Sequence, residues 1–264
     1  MLWENFRQTA ISSSKVLLVP YYKHHVPRYH EWMKSPEIQE ATASEPLSEE
    51  EEYQMQASWR HDADKLTFII CQPLQKTIGS GENIAKDACS NVNCDADAAM
   101  LGDVNMFLTF NEDDQDDEDA ESQSTPTDGT HHPPEVVGEL ELMIAERKNQ
   151  KHGYGRAALL SFLLYVLRNE DTIVRGFLES KGYAPSREMS QRLDFFCVKI
   201  GADNVGSIRL FESLGFKKLK EEPNVFGELE LRRMFDGNAH GIEETMELMR
   251  KYDVGQSVEM PYQR

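Results

Sequence analysis

The chain has 264 residues, 39% of them hydrophobic, and a formal net charge of −18 from 28 Lys and Arg against 46 Asp and Glu. Such an acidic balance excludes nucleic acid as a partner, because its phosphates would be repelled, and favours a basic one. The apolar fraction suffices for one core with polar additions, and four cysteines without a histidine at ligand spacing argue for reduced thiols over zinc or a disulfide framework.

The N-terminus lacks the basic, apolar, small-residue order of a secretory signal, and the longest apolar stretch, 157–167, is too short to span a bilayer. A cytoplasmic protein without a membrane segment or a metal is therefore expected. In chain order, residues 1–15 read as a loose lead-in, although Trp3 and Phe6 have the bulk to pack. Val16 to Val19 reads as a first strand stopped by Pro20, which cannot donate to a ladder. Tyr29, Trp32 and Met33 share a stripe on short helical turns. Ser48 with Glu51 fits a capping box opening a helix over 49–60, where Tyr53, Met55, Gln56 and Trp59 recur at helical spacing, a pattern typical of core packing.

KLTFIIC at 65–71 and LGDVNMFL at 101–108 are β-rich. Residues 73–98 between them mix Gly, Asn, Asp and Ser without periodicity and read as a long surface loop. Residues 111–134 carry the run EDDQDDEDAE, which repels itself and offers nothing to bury, so a disordered acidic tract is expected; no glycine stands where a calcium loop needs one. The domain then spans 16–235 with these two insertions, and 236–264 forms a tail in which Ile242, Met246 and Met249 mark a short amphipathic helix.

The stretch GELELMIAERKNQKHGYGRAALLSFLLYVL at 138–167 joins a period-two run (Leu140, Leu142, Ile144) through a basic turn and a glycine pair to an apolar helix. A strand that feeds a helix through glycines presents unpaired N–H groups at the positive end of the helix dipole, which suits an anion. Gln150-Lys151-His152-Gly153-Tyr154-Gly155 has the form Q-x-x-G-x-G, whose glycines let the backbone approach a diphosphate. Arg147, Lys148, Lys151 and Arg156 oppose the global charge here and suit a ligand with several phosphates. Residues 168–190 read as a short helix plus loop, LDFFCVKI at 193–200 as a strand, and VFGELEL at 225–231 as a terminal strand.

These motifs resemble the GCN5-related N-acetyltransferases: Gln150 to Gly155 is similar to their pyrophosphate loop, and Asn204-Val205-Gly206-Ser207 followed by Leu214-Gly215-Phe216 to their N-x-x-S and L-G-F pattern. The segments His30-Glu31-Trp32-Met33-Lys34-Ser35, Thr42-Ala43-Ser44-Glu45-Pro46-Leu47, Asp62-Ala63-Asp64-Lys65, Gly102-Asp103-Val104-Asn105 and Met143-Ile144-Ala145-Glu146 resemble the eukaryotic N-acetyltransferase 9 branch, related to the RimJ/RimL type. The resemblance covers residues 16–70, 100–110, 136–168 and 193–232.

It implies an α/β (α+β) fold, with a central mixed, mostly antiparallel twisted sheet flanked by helices and with splayed central strands. It implies acetyl-CoA as co-substrate, held by Leu142, Met143, Ile144, Gln150, Lys151, His152, Gly153, Tyr154, Gly155, Arg156, Asn204 and Ser207. Asn204 and Ser207 either cap their helix or bond the pantetheine arm. The helix pair and loop before residue 60 would line the acceptor groove, which makes Glu45 and Trp59 candidate substrate contacts. Glu139 and Glu141 share a face opposite Leu140 and Leu142, so either one of them is the general base or both simply face solvent.

Four positions depart from the family pattern: Arg147 replaces a common proline, Arg156-Ala157 replaces threonine-glutamate, and Phe211 replaces the tyrosine that acts as general acid. A phenyl ring cannot protonate a thiolate. The activity implied is transfer of acetyl to a protein or peptide amine, lysine or N-terminal, by direct attack in a ternary complex. The alternative is a weakly active or inactive interaction protein on the same fold. Either way tubulin is the candidate partner or substrate, and the chain is a monomer or homodimer.

Overall fold

Hydrophobic runs of period two, broken by polar turns, produce nine strands, and the computed structural model joins them into one open sheet; it describes residues 6–42, 44–74, 94–111, 134–186 and 188–263. The first strands are β1 (Thr9–Ser12) and β2 (Leu17–Pro20), followed by α1 (Val26–Met33), α2 (Pro36–Ala41) and α3 (Glu49–His61). Next come β3 (Lys65–Cys71), β4 (Met100–Phe110), β5 (Val136–Ile144), α4 (Tyr154–Arg168) and α5 (Glu170–Ser180). The chain continues with β6 (Phe196–Gly201), α6 (Val205–Ser213), β7 (Lys217–Lys218), β8 (Glu228–Arg233), α7 (Asn238–Lys251) and β9 (Val258–Pro261). The strand order is β7-β8-β6-β5-β4-β3-β2-β1-β9. Every neighbouring pair is antiparallel except β5 with β6.

Alternation sends the two halves of each central strand to opposite layers. Leu66, Phe68, Val104, Met106 and Leu140 face α4, whose residues from Ala157 to Leu167 are all buried, and form the main core. Ile69, Cys71 and Met143 face the other way and pack with Tyr21, Tyr29, Trp32 and Met33 around α1. The capping box expected at the start of α3 is present: Glu51 N–H donates to Ser48 Oγ, and Glu51 Oε2 accepts from Ser48 N–H at 2.8 Å. Gln56 on the buried face of α3 donates to Tyr21 O at 2.9 Å and ties this helix to the end of β2.

Both ends of the chain, read from the sequence as a lead-in and a tail, contribute strands. β1 and β9 pair with each other, burying Ala10, Ile11 and Met260, and α7 lies against α4. Four-residue strands bury too few side chains to stand out from their polar surroundings. Much of the expected loop at 73–98 lies outside the described residues, as do Trp3 and nearly all of the acidic tract. Its last part is not surface, however: Asp95 is fully buried. Its carboxylate accepts from His24 Nε2 at 2.7 Å, His25 Nε2 at 3.1 Å and the Tyr262 hydroxyl. His25 Nδ1 accepts the Tyr22 N–H at 2.9 Å, so Nε2 carries the hydrogen it donates, and the group is a hydrogen-bonded hub joining the entry to α1 with the strand beyond β9.

The strand expected over 225–231 begins only at Glu228. Asn224 Oδ1 accepts from Phe226 N–H and Glu228 N–H, and Gly227 takes φ +79°, so a tight turn leaves Val225 94% and Phe226 83% exposed. At Gly102 a Cβ would stand 1.8 Å from the Met143 carbonyl oxygen. Gly102→Ala is expected to wedge β4 from β5 and to cost about 3 kcal/mol, seen as an earlier midpoint in chemical unfolding.

Candidate active site

The parallel strands β5 and β6 touch only at their beginnings. Register pairs Gly138 with Phe196 and Glu139 with Cys197; beyond them β5 runs on to Ile144 beside β4, while β6 runs on to Gly201 beside β8. Gly138 N–H donates to Phe195 O at 3.1 Å, whereas Ala145 N–H donates to Leu101 O at 3.0 Å. Even-numbered residues of β5 therefore direct their main-chain groups toward β6 and odd-numbered ones toward β4. The C=O of Leu140, whose N–H still belongs to the pairing with Cys197, and the N–H and C=O of Leu142 thus face an opening that has no strand in it. An extended ligand with amide groups can fill that opening as an added strand. Met143, by contrast, turns its main chain to β4 and its buried side chain to the α1 layer, and the Ile144 carbonyl accepts from Gln150 Nε2 at 2.9 Å.

That opening ends at the first turn of α4. Gly153 precedes the helix at φ +86°, with nothing within 4 Å of the place a Cβ would take, and Lys151 is also left-handed at φ +63°. No side chain caps the helix and its first turn holds no acid, so the N–H groups of Tyr154, Gly155 and Arg156 are presented bare. At Gly155 a Cβ would meet Leu142 at 3.1 Å, Leu210 at 3.6 Å and Ile144 at 3.7 Å; the missing side chain lets α4, β5 and α6 converge.

The basic residues of the turn divide into two groups. Arg147 pairs with Glu37 at 2.8 Å, Lys148 pairs with Glu146 at 3.1 Å, and the Arg156 guanidinium lies over the Tyr252 ring and donates to Ser213 at 3.3 Å. Lys151 alone of the four has no such partner among the described residues, and with His152 it stays exposed. On α6 the Asn204 side chain accepts from Ser207 N–H at 3.1 Å, so the helix cap is formed. Glu45 is exposed on the loop before α3, and Trp59 packs edge-on over Phe107 at 5.7 Å, across from Glu139.

Glu139 and Glu141 do share the face turned toward α1 and α3, but their surroundings differ. Glu139 accepts from Lys199 Nζ at 2.8 Å, which neutralises it. Glu141 is exposed to solvent as a side chain while protein crowds its carboxyl group; burial of that group, then the charge of Glu139, pushes it up to about 7, against the pull of Asn105 and Lys199. Periodicity gives no sign of the residues beside it. Asp103 and Asn105 belong to β4, and only the β4–β5 register, which sets Asn105 opposite Glu141, brings them to the site. Phe211, the departure from the family pattern, is 2% exposed and packed on Phe216, so it has no part in proton transfer.

Comparison with known proteins agrees with this geometry. Residues 15–217 match the family model for the acetyltransferase (GNAT) domain. The chain is 40% identical over 218 residues to an N-acetyltransferase 9-like protein of Schizosaccharomyces pombe, covering 81% of this chain and 91% of that protein. It is 35% identical over 235 residues to the alpha/beta-tubulin-N-acetyltransferase 9 of Homo sapiens, covering 89% and 87%. Among solved structures, RimL, an alpha-N-protein acetyltransferase in complex with coenzyme A, aligns with a TM-score of 0.50 at 11% identity over 85% of this chain and 96% of its own. An aminoglycoside acetyltransferase in complex with coenzyme A aligns with 0.50 at 12% identity over 89% and 99%; at such identities the likeness is one of fold. With the family model covering residues 15–217 and close relatives matched over most of both lengths, the chain is an acetyltransferase and belongs to the GCN5-related N-acetyltransferase superfamily, in its N-acetyltransferase 9 branch.

Proposed function

We propose that the chain moves the acetyl group of acetyl-CoA onto the α-amine at a protein N-terminus, with Glu141 as the general base. The observation that carries this reading is the pair of environments on one strand: Glu139 locked to Lys199, Glu141 raised to about 7 and facing the α1 and α3 layer. Bound acetyl-CoA supplies an activated thioester. The residues suited to hold it are those of the opening: the main chain of Leu140 and Leu142 for the amides of its arm, the bare N–H groups of Tyr154, Gly155 and Arg156 for its diphosphate, and Lys151 for the remaining charge. Asn204 and Ser207 are assigned to the same arm, since their helix α6 reaches the end of the opening through Leu210 beside Gly155.

A base near 7 also bears on which amine is used. An α-ammonium, with an ordinary pKa of about 7.8, gives up its proton to such a carboxylate at a penalty of about tenfold, while a lysine near 10.4 does so at more than about a thousandfold. The net charge of −18 draws basic protein segments toward the molecule. Relatives in Homo sapiens and Drosophila melanogaster carry the name alpha/beta-tubulin-N-acetyltransferase 9, which supports the N-termini of tubulin subunits as the acceptor and is in keeping with a cytoplasmic reaction. Among the described residues no helix is long and apolar enough to cross a membrane.

Incubation with acetyl-CoA and N-terminal peptides of tubulin, reading freed thiol, tests the activity; peptides with a blocked N-terminus and an internal lysine are expected to be poor acceptors. Glu141→Gln is expected to lower kcat by about a hundredfold or more and Glu139→Gln by less than about tenfold. Equal losses in the two variants would contradict the division of roles. Because the base must be ionised, kcat at saturating substrates should rise as pH passes through about 7 and level off above it; a flat profile from pH 5.5 to 8.5 excludes Glu141. Gly153→Val places a branched side chain where φ is +86°, and calorimetry should show coenzyme A binding weakened by at least about tenfold with the circular dichroism spectrum unchanged.

A further inference from the structure

Beside Glu141, under α1, lies a second carboxyl that the reaction as described does not use. Asp103 is 3% exposed and Asn105 2%. Asn105 is the direct cross-strand partner of Glu141, and Asp103 sits two residues further along the same face of β4. Asn105 Nδ2 donates to Asp103 Oδ2 at 2.6 Å. Asp103 Oδ1 and Asn105 Oδ1 have no hydrogen-bond partner among the described residues.

Ionised, Asp103 leaves two bare acceptor oxygens in a dry recess, which is costly; a proton on Oδ1 turns one of them into a donor. The titratable groups around it do not offset a charge. Tyr21, in the segment after β2, and Tyr29 of α1 are held protonated by burial. His30 of α1 faces Glu52 of α3 at 3.9 Å, and Lys199 of β6 is taken by Glu139. From β3 the neighbour is the uncharged Thr67, opposite Asn105. Burial, with the charge of Glu141 adding to it and the Asn105 bond opposing, pushes Asp103 up to about 7.

We propose that Asp103 is a positioning residue for the acetyl transfer: it keeps a proton while Glu141 is ionised, and the two carboxyls, which flank Asn105, hold one proton between them at neutral pH. This rests on the reading of Glu141 as the base. In becoming an amide the protonated acceptor nitrogen sheds two protons, one ending on the coenzyme A sulfur and the other in solvent. A protonated Asp103 leaves Glu141 as the only ionised carboxyl bordering Asn105, free to take the first of them. The Asn105 amide, which donates to Asp103 Oδ2 and stands opposite Glu141 across the strands, favours the ionised form of whichever has lost its proton.

The test is titration of the side-chain carboxyl carbons of labelled protein by NMR, alongside the pH profile of kcat. In the native chain the Glu141 carboxyl should titrate over a range broader than a single-site curve. In Asp103→Asn, whose side chain conserves the volume, it should titrate in one step at a midpoint lower by about half a pH unit or more, and the rising limb of kcat should move down with it. Glu141→Gln gives the converse reading without disturbing the buried pair: the Asp103 carboxyl should then titrate at lower pH. An Asp103 curve unchanged by Glu141→Gln, or a Glu141 curve unchanged in folded Asp103→Asn, overturns the proposal. Linked titrations without acetylation of any amine would remove the base assignment and, with it, the positioning role, whereas acetylation with independent titrations would remove only the role of Asp103.

Discussion

A buried main-chain N–H or C=O has to find a partner, and the early parting of β5 from β6 leaves a row of them without one. The rest of the molecule is arranged about that deficit. β4 holds β5 straight along its full length, from Phe110 paired with Val136 to Gly102 paired with Ile144, so the row stays extended. β8 draws β6 away through six consecutive pairs. The gap opens toward the amino end of α4, where the helix adds its own unpaired amides. A ligand that carries amides at one end and phosphates at the other therefore meets both kinds of unmet need in one continuous path, and no side chain has to be spent on recognising its middle.

On the opposite face of β5, two identical side chains two residues apart acquire different chemistry from what stands across the sheet. Lysine from β6 reaches Glu139 but not Glu141, because the strands are still close at the one and already apart at the other. The same divergence that opens the sheet thus also leaves Glu141 without a direct ion pair, Lys199 acting on it only from beside Glu139. Local geometry, and not residue type, decides which glutamate can hold a proton near neutrality.

Much of this could be read from the amino-acid order, and the parts that could not share a cause. The strand at 65–71 is legible to the residue because it is a short run of β-branched and aromatic positions with polar residues at both ends. The glycine turn into α4, and the shared face of Glu139 and Glu141, are local properties of one segment. Asp103 and Asn105 escaped because their role depends on how β4 registers against β5 over a separation of nearly forty residues, which no periodicity reports. The short strands β1 and β9 escaped because β9, at the sheet edge, pairs only with β1, and β1 is held between it and β2. Val225 and Phe226 extended an alternating pattern that Asn224 and Gly227 bend into a turn; side-chain hydrogen bonding there outweighed the apolar sequence.

The stacking of Arg156 on Tyr252 carries a further implication. Arg156 belongs to the first turn of the helix that presents its amides to the anion, and Tyr252 follows directly on α7; Ser213, at the end of α6, receives the same guanidinium, while the Tyr252 hydroxyl donates to its carbonyl at 3.2 Å. Three helices far apart in the chain are thereby clamped at one point beside the phosphate-facing corner. Rigidity at that corner is a communal property: whatever seats α7 more firmly also steadies the first turn of α4, and whatever holds that turn in place must in return slow the peeling of α7 from the molecule.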